Sequence, residues 1–112
     1  MTYNKKATRY YSSRQEKDIA HKVNGKVVPN SGAIRFGGGD VTTDQWLFEA
    51  KTKMDVTKSF SIKKEWLEKN KEEAFAMGKP YSALVFNFGD NKNYYVIDER
   101  TFLKMKEALE NE

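Results

Sequence analysis

The segment Tyr81–Phe88 is nearly all apolar, with Gly78 and Pro80 before it and Gly89-Asp90-Asn91-Lys92 after it. A run this short is a strand, and one that is apolar on both alternating sides has to be covered on both faces. It therefore reads as the centre of a sheet with helices above and below. A chain of 112 residues has room for one such unit, since domains cluster near about 100–150 residues. A single domain over residues 1–112 is expected, with residues 1–11 as a basic N-terminal arm.

The remaining elements follow from local patterns. Ser12 and Gln15 have the spacing of a capping box, so a first helix is expected to start at Ser12 or Ser13. Its apolar stripe is Ile19, Ala20 and Val23, and Asn24-Gly25 ends it. Lys26-Val27-Val28-Pro29 reads as a short strand entering the Gly-rich loop from Asn30 to Gly39. Asp40-Val41-Thr42 is a brief strand, Thr43-Asp44-Gln45 a turn, and Trp46 to Lys53 an aromatic-rich strand. A second helix is predicted from Ile62 to Met77, with Ser61 as N-cap and Ile62, Trp66, Phe75 and Met77 as packing residues. Asn93 to Ile97 returns as a strand, and Asp98 caps a last helix with Phe102, Met105 and Leu109 on its inner side. The order α-β-β-β-α-β-β-α gives an α/β fold, a mixed sheet of about five strands flanked by helices.

Composition narrows the chemistry. No apolar run reaches the roughly 18 residues that span a bilayer, and no signal-peptide core is read at the N-terminus, so no membrane partner is expected. With 13% aromatic residues the chain is too rich for disorder. It has no cysteine and one histidine, His21. Disulfides, thiolate zinc sites and cysteine nucleophiles are excluded, as are histidine-rich sites within one chain. An enzyme built from this sequence works with carboxylates and lysines. The 20 basic against 16 acidic side chains give a net charge of +4. Lys5, Lys6, Arg9 and Arg14 precede the first acid, Glu16, and read as a solvated tail or as contacts to a polyanion.

Side chains alternate along Trp46–Lys53, so Leu47, Glu49 and Lys51 share one face while Trp46, Phe48 and Ala50 share the other. If the preceding strand pairs through the Thr43-Asp44-Gln45 turn, Asp40 approaches Glu49. Two carboxylates and a lysine are the minimum for metal-assisted phosphodiester hydrolysis. The triplet acid-x-Lys is weak alone and occurs twice, as Glu49-Ala50-Lys51 and as Asp90-Asn91-Lys92 in a turn. Context distinguishes the first. Glu16 lies on the inward stripe of helix one, either as a helix-end carboxylate or as one aimed into a polar site. Gly37-Gly38-Gly39 has no helix start after it, so it is a flexible loop or, with Arg35, one that touches a nucleic-acid backbone. Lys53, Lys58, Lys63 and Lys64 are phosphate contacts or solubilising charges. Trp46 and Trp66 read as core and His21 as surface. A non-catalytic nucleic-acid-binding module is the alternative in a different functional class.

The run Glu16 … Asn30-Ser31-Gly32-Ala33 … Gly39-Asp40-Val41 … Phe48-Glu49-Ala50-Lys51 resembles the PD-(D/E)xK nuclease superfamily, and within it the archaeal-type and phage-encoded Holliday junction resolvases. The resemblance covers residues 9–88, with Gly39 where the motif name has proline. It implies a restriction-endonuclease-like core and a Mg²⁺-dependent structure-specific endonuclease, with Mn²⁺ able to substitute. Asp40, Glu49 and the Ala50 backbone carbonyl would then hold the metal, and Lys51 would stand at the attacking water. Glu16 would be the auxiliary carboxylate and Ser31 a loop residue near the scissile phosphate. Further implications are a four-way DNA junction as substrate, a homodimer, and the cytoplasm of a prokaryotic or phage-infected cell. A nuclease of the same superfamily acting on nicked, flapped or duplex DNA is the nearest alternative.

Overall fold

A computed structural model describes residues 5–28, 38–51 and 56–112, with side chains in the first helix described from Arg14 onward. The elements are α1 (Lys5–Val23), β1 (Lys26–Val27), β2 (Gly38–Thr42), β3 (Trp46–Lys51), α2 (Lys64–Ala76), β4 (Tyr81–Phe86), β5 (Tyr94–Val96) and α3 (Glu99–Glu110). Their order is the expected one. The strands form one five-stranded sheet in chain order, β1-β2-β3-β4-β5. All neighbours are antiparallel except β3 and β4, which run parallel because α2 carries the chain back between them. The sheet is therefore mixed, and the chain is α/β.

The two faces of the sheet differ in chemistry. On one, Val41, Phe48, Ala50, Ala83 and Val85 form the apolar core with Ile19 of α1. Trp46 packs against that cluster and stacks on Phe48, with ring centroids 5.3 Å apart. On the other face Leu47 and Leu84 are buried, and α2 packs over β3 and β4 with Asn70 and Ala74 as its buried residues. The β4 segment is buried at Ala83, Leu84 and Val85, as a strand covered on both sides should be.

Helix ends carry the fold's local signals. Asn24, with φ 58°, closes α1, and the Gly25 N–H donates to the Ala20 carbonyl at 2.8 Å. After α2, Gly78 takes φ 73°, the Gly78 N–H donates to Phe75 O at 3.0 Å and the Lys79 N–H to Ala74 O at 2.8 Å. Those two bonds make a Schellman stop, which needs a residue that tolerates the left-handed region. Lys79 then reaches back, its Nζ donating to the carbonyls of Thr43 (2.7 Å) and Asp44 (3.2 Å). The β2–β3 turn is thereby tied to the start of β4.

Several expectations about the helices are corrected. α1 begins at Lys5, not at Ser12 or Ser13, so residues expected in the arm are helical from Lys5 on. Ser12 therefore lies inside α1 and not at its start, and the Gln15 amide donates to the Lys51 and Val85 carbonyls at 3.1 and 3.5 Å. α2 starts at Lys64 after Lys63, not after Ser61, and its inward face is Trp66, Asn70 and Ala74. Phe75 points outward at 86% exposure, and Met77 is also exposed. On α3 only Thr101 is buried; Phe102 and Leu109, expected inside, are 54% and 67% exposed, and Met105 is exposed too. The amphipathic pattern was real, but α3 meets the body through its first turn and not along its length. Among the described residues no helix is long and apolar enough to cross a membrane.

Asp98 does cap α3, accepting from the Thr101 N–H at 2.9 Å and from Lys71 Nζ at 3.0 Å. These bonds, the one from Thr101 foremost, lower its pKa from 3.8 to about 2. A carboxylate with a depressed pKa stabilises the fold above its unfolded pKa and loses that contribution as pH falls through the folded one. Asp98→Ala should lower stability by about 1 kcal/mol at neutral pH. In chemical denaturation the gap from wild type should close as pH drops from 3.8 towards about 2. A gap that persists unchanged to the lowest pH would mean that the ionised cap contributes nothing.

Candidate metal and catalytic site

The register of β2 on β3 places Asp40 directly opposite Glu49. In an antiparallel pair, directly opposite residues point to the same face, so the two carboxylates emerge together. Gly38 and Gly39 lie opposite Lys51 and Ala50. No side chain from those two β2 positions therefore competes for the space over the end of β3. Val41 opposite Phe48 belongs to the apolar face, which puts Asp40, Glu49 and Lys51 on the face covered by α2.

From α2 comes a third carboxylate. Asp40, Glu49 and Glu73 each offer a ligand oxygen, and these atoms all lie within 4.8 Å of one another. Lys51 joins them, its Nζ 2.9 Å from Glu49 Oε2, with side-chain exposures of 19% and 13%. The same ammonium sits 4.3 Å from the ring centroid of Trp66, one face of α2 thus supplying Trp66 and Glu73 to the site. Behind it, the buried Gln15 of α1 donates to the Lys51 carbonyl and holds the end of β3.

The electrostatics follow from crowding. Burial, first, and then repulsion from Glu49, Glu73 and Glu16 push the Asp40 pKa from 3.8 up to about 6, with Lys51 acting in the opposite direction. Like charges directly across a strand pair are destabilising. Among the described residues one ammonium, Lys51, faces these three carboxylates. The donor set is therefore all oxygen and anionic, half-buried at Asp40 and Glu49, which is the chemistry a hard divalent cation such as Mg²⁺ accepts. Clusters of this kind also occur in proteins that bind no ion.

The structure brings some of the expected site residues together and leaves others apart. Asp40, Glu49 and Lys51 come together. Glu16 stands on α1, across the sheet from α2, where it is half-buried and acts on Asp40 less than Glu49 and Glu73 do. Ala50 is the penultimate residue of β3, with its side chain in the apolar core. Ser31, Arg35 and Lys53 lie outside the described residues, and Lys5, Lys6 and Arg9 belong to α1 with side chains outside the described set. Arg14, Lys58, Lys63 and Lys64 are exposed. Lys63 lies 5.7 Å from the Trp66 ring, near Lys51. Glu73, Gln15 and the Trp66 contact were missed by the sequence reading. The available signal was the spacing Trp66, Asn70, Glu73, which puts all three on one helical face.

No family model, curated protein or solved structure matches the chain.

Because the folded pKa of Asp40 is raised, its ionised form opposes folding. Asp40→Asn should stabilise the metal-free protein at about pH 8 by on the order of 1–3 kcal/mol. The gain should fall as pH drops through about 6 and vanish below 3.8, where Asp40 is protonated in folded and unfolded chains alike. Denaturation series across that range, with and without Mg²⁺, measure it; Mg²⁺ should protect wild type more than the variant. A variant less stable than wild type at every pH would contradict the crowding described.

Proposed function

We propose that this chain is a metal-dependent, structure-specific DNA endonuclease that hydrolyses phosphodiester bonds at branched DNA, most simply a Holliday junction resolvase of a prokaryotic or phage-infected cell. The observation that carries the reading is the Asp40–Glu49 cross-strand pair with Lys51 on the same face. A carboxylate cluster distinguishes an enzyme from a pure binding module, because acids beside phosphates weaken binding unless a cation stands between them. The resemblance of residues 9–88 to the PD-(D/E)xK superfamily supports the same assignment and proposes the restriction-endonuclease-like fold for this sheet.

Asp40 and Glu49, with Glu73 and the Ala50 carbonyl, would hold Mg²⁺ or Mn²⁺, which when bound polarises the phosphate and lowers the pKa of a water. Lys51 donates from its ammonium to the scissile phosphate or to the attacking water and orients it. Water adds to phosphorus, the bond to one sugar oxygen breaks, and the proton released by the water ends on that oxygen. Gln15 keeps Lys51 in register by holding its carbonyl. Glu16 is an auxiliary carboxylate that adds to the field at Asp40. Exposed Arg14, Lys58, Lys63 and Lys64 provide phosphate contacts. A four-way junction has two symmetry-related scissile positions, and the described residues of one chain carry one such cluster, so paired cuts call for a two-fold homodimer.

The test is incubation with an end-labelled four-way junction and with its duplex arms, in Mg²⁺ and in EDTA. Junction-selective, EDTA-sensitive cleavage is expected. Asp40→Asn, Glu49→Gln and Lys51→Ala should each abolish it while leaving junction binding intact or, for the two carboxylates, tighter. Equal cutting of duplex and junction would point to a less selective nuclease. Binding without cleavage in any metal would point to the non-catalytic module.

A further inference from the structure

We propose that Trp66 is the positioning residue of this site: its ring seats the Lys51 ammonium when a divalent cation takes Glu49 away from it. This rests on reading the carboxylates as metal ligands.

Among the described residues the Lys51 ammonium meets Glu49 Oε2 at 2.9 Å and the Trp66 ring centroid at 4.3 Å. A metal on Glu49 removes the first, since ammonium and divalent cation compete for the same anionic oxygen and repel each other. Any acidic replacement partner would itself be drawn to the metal. An aromatic face attracts a cation through its quadrupole, yet it offers no oxygen ligand to a hard divalent ion. Trp66 is therefore a partner that metal binding leaves intact. Without it, a four-carbon side chain would regain its rotamer freedom at the moment its position matters. Trp66 and Glu73 are two turns apart on the same helix, so the seat and the third carboxylate are fixed to each other by α2. Lys63, 5.7 Å from the same ring, is exposed and retains its hydration.

The test needs no DNA. Proton–carbon NMR of the lysine ε-methylenes in the full chain should show an upfield, ring-current-shifted signal assigned to Lys51 by its absence in Lys51→Met, which separates it from Lys63 and Lys104, 5.7 and 5.4 Å from the Trp66 and Tyr81 rings. Adding Mg²⁺ should perturb Asp40, Glu49 and Glu73 and leave the Lys51 signal upfield or move it further. Trp66→Leu should return that signal to the position of the other lysines, and Trp66→Phe should keep part of the shift. Dispersed methyl signals of Leu47, Leu84 and Val85 in the same spectra report that each variant is folded. On cleavage, Trp66→Leu should lower kcat by about 10- to 100-fold with KM for DNA little changed, and Trp66→Phe should recover part of the loss. Mg²⁺ shifts at the carboxylates with Lys51 moving to the ordinary position would overturn this inference alone. No Mg²⁺ response at Asp40, Glu49 or Glu73 would overturn the metal reading and this inference with it.

Discussion

Asp40 and Glu49 face each other across β2 and β3, and a sheet gains nothing from that arrangement, since opposed like charges destabilise a strand pair. The strain is visible in the Asp40 pKa, raised to about 6 by burial and by its acidic neighbours. Everything around the pair limits or exploits this repulsion. Lys51, two residues along β3, supplies the near cation. Gly38 and Gly39 leave space over it. α2 brings Glu73, which adds to the repulsion.

The sheet divides labour between its faces. Against α1, Ile19, Val41, Phe48, Ala50 and Val85 form a dry apolar layer that supplies the burial a small domain needs. Against α2 the inward residues are Trp66, Asn70 and Glu73 beside Ala74, and Asn70 Nδ2 is buried with no hydrogen-bond partner among the described residues. A helix that turns polar residues inward while leaving Phe75 in solvent sacrifices packing on that side. The apolar cluster lies in one layer and the carboxylates with Lys51 in the other, joined by the alternation of β3. Gln15 crosses between them, its helix in the apolar layer and its amide on the carbonyls at the end of β3 and β4.

Strand alternation, turn residues and the Asp98 cap were legible because they are local. They fixed the order of elements, and the Asp40, Glu49 and Lys51 face followed from period two along β3 and one hairpin register. What was not legible depended on which helix face meets the sheet. Phe75, Met77, Phe102, Met105 and Leu109 form regular apolar patterns, and hydrophobicity alone assigned them inward; all are exposed. Glu73 was hidden for the complementary reason, as an acid on a helix reads as surface until the sheet opposite is known to carry acids too. The start of α1 was misplaced because Ser12 and Gln15 have the spacing of a helix start yet lie inside a helix that already runs from Lys5.

The central claim is that Asp40, Glu49 and Glu73 form one cation site. Substoichiometric Mn²⁺ added to ¹⁵N-labelled protein tests it most directly, because paramagnetic broadening falls steeply with distance from the ion. The expected result is loss of the amide signals around residues 40, 49 and 73 at the lowest Mn²⁺ additions, reversed by excess Mg²⁺. Broadening centred on the acidic end of α3, at Glu107, Glu110 and Glu112, or spread evenly over the surface, would contradict it.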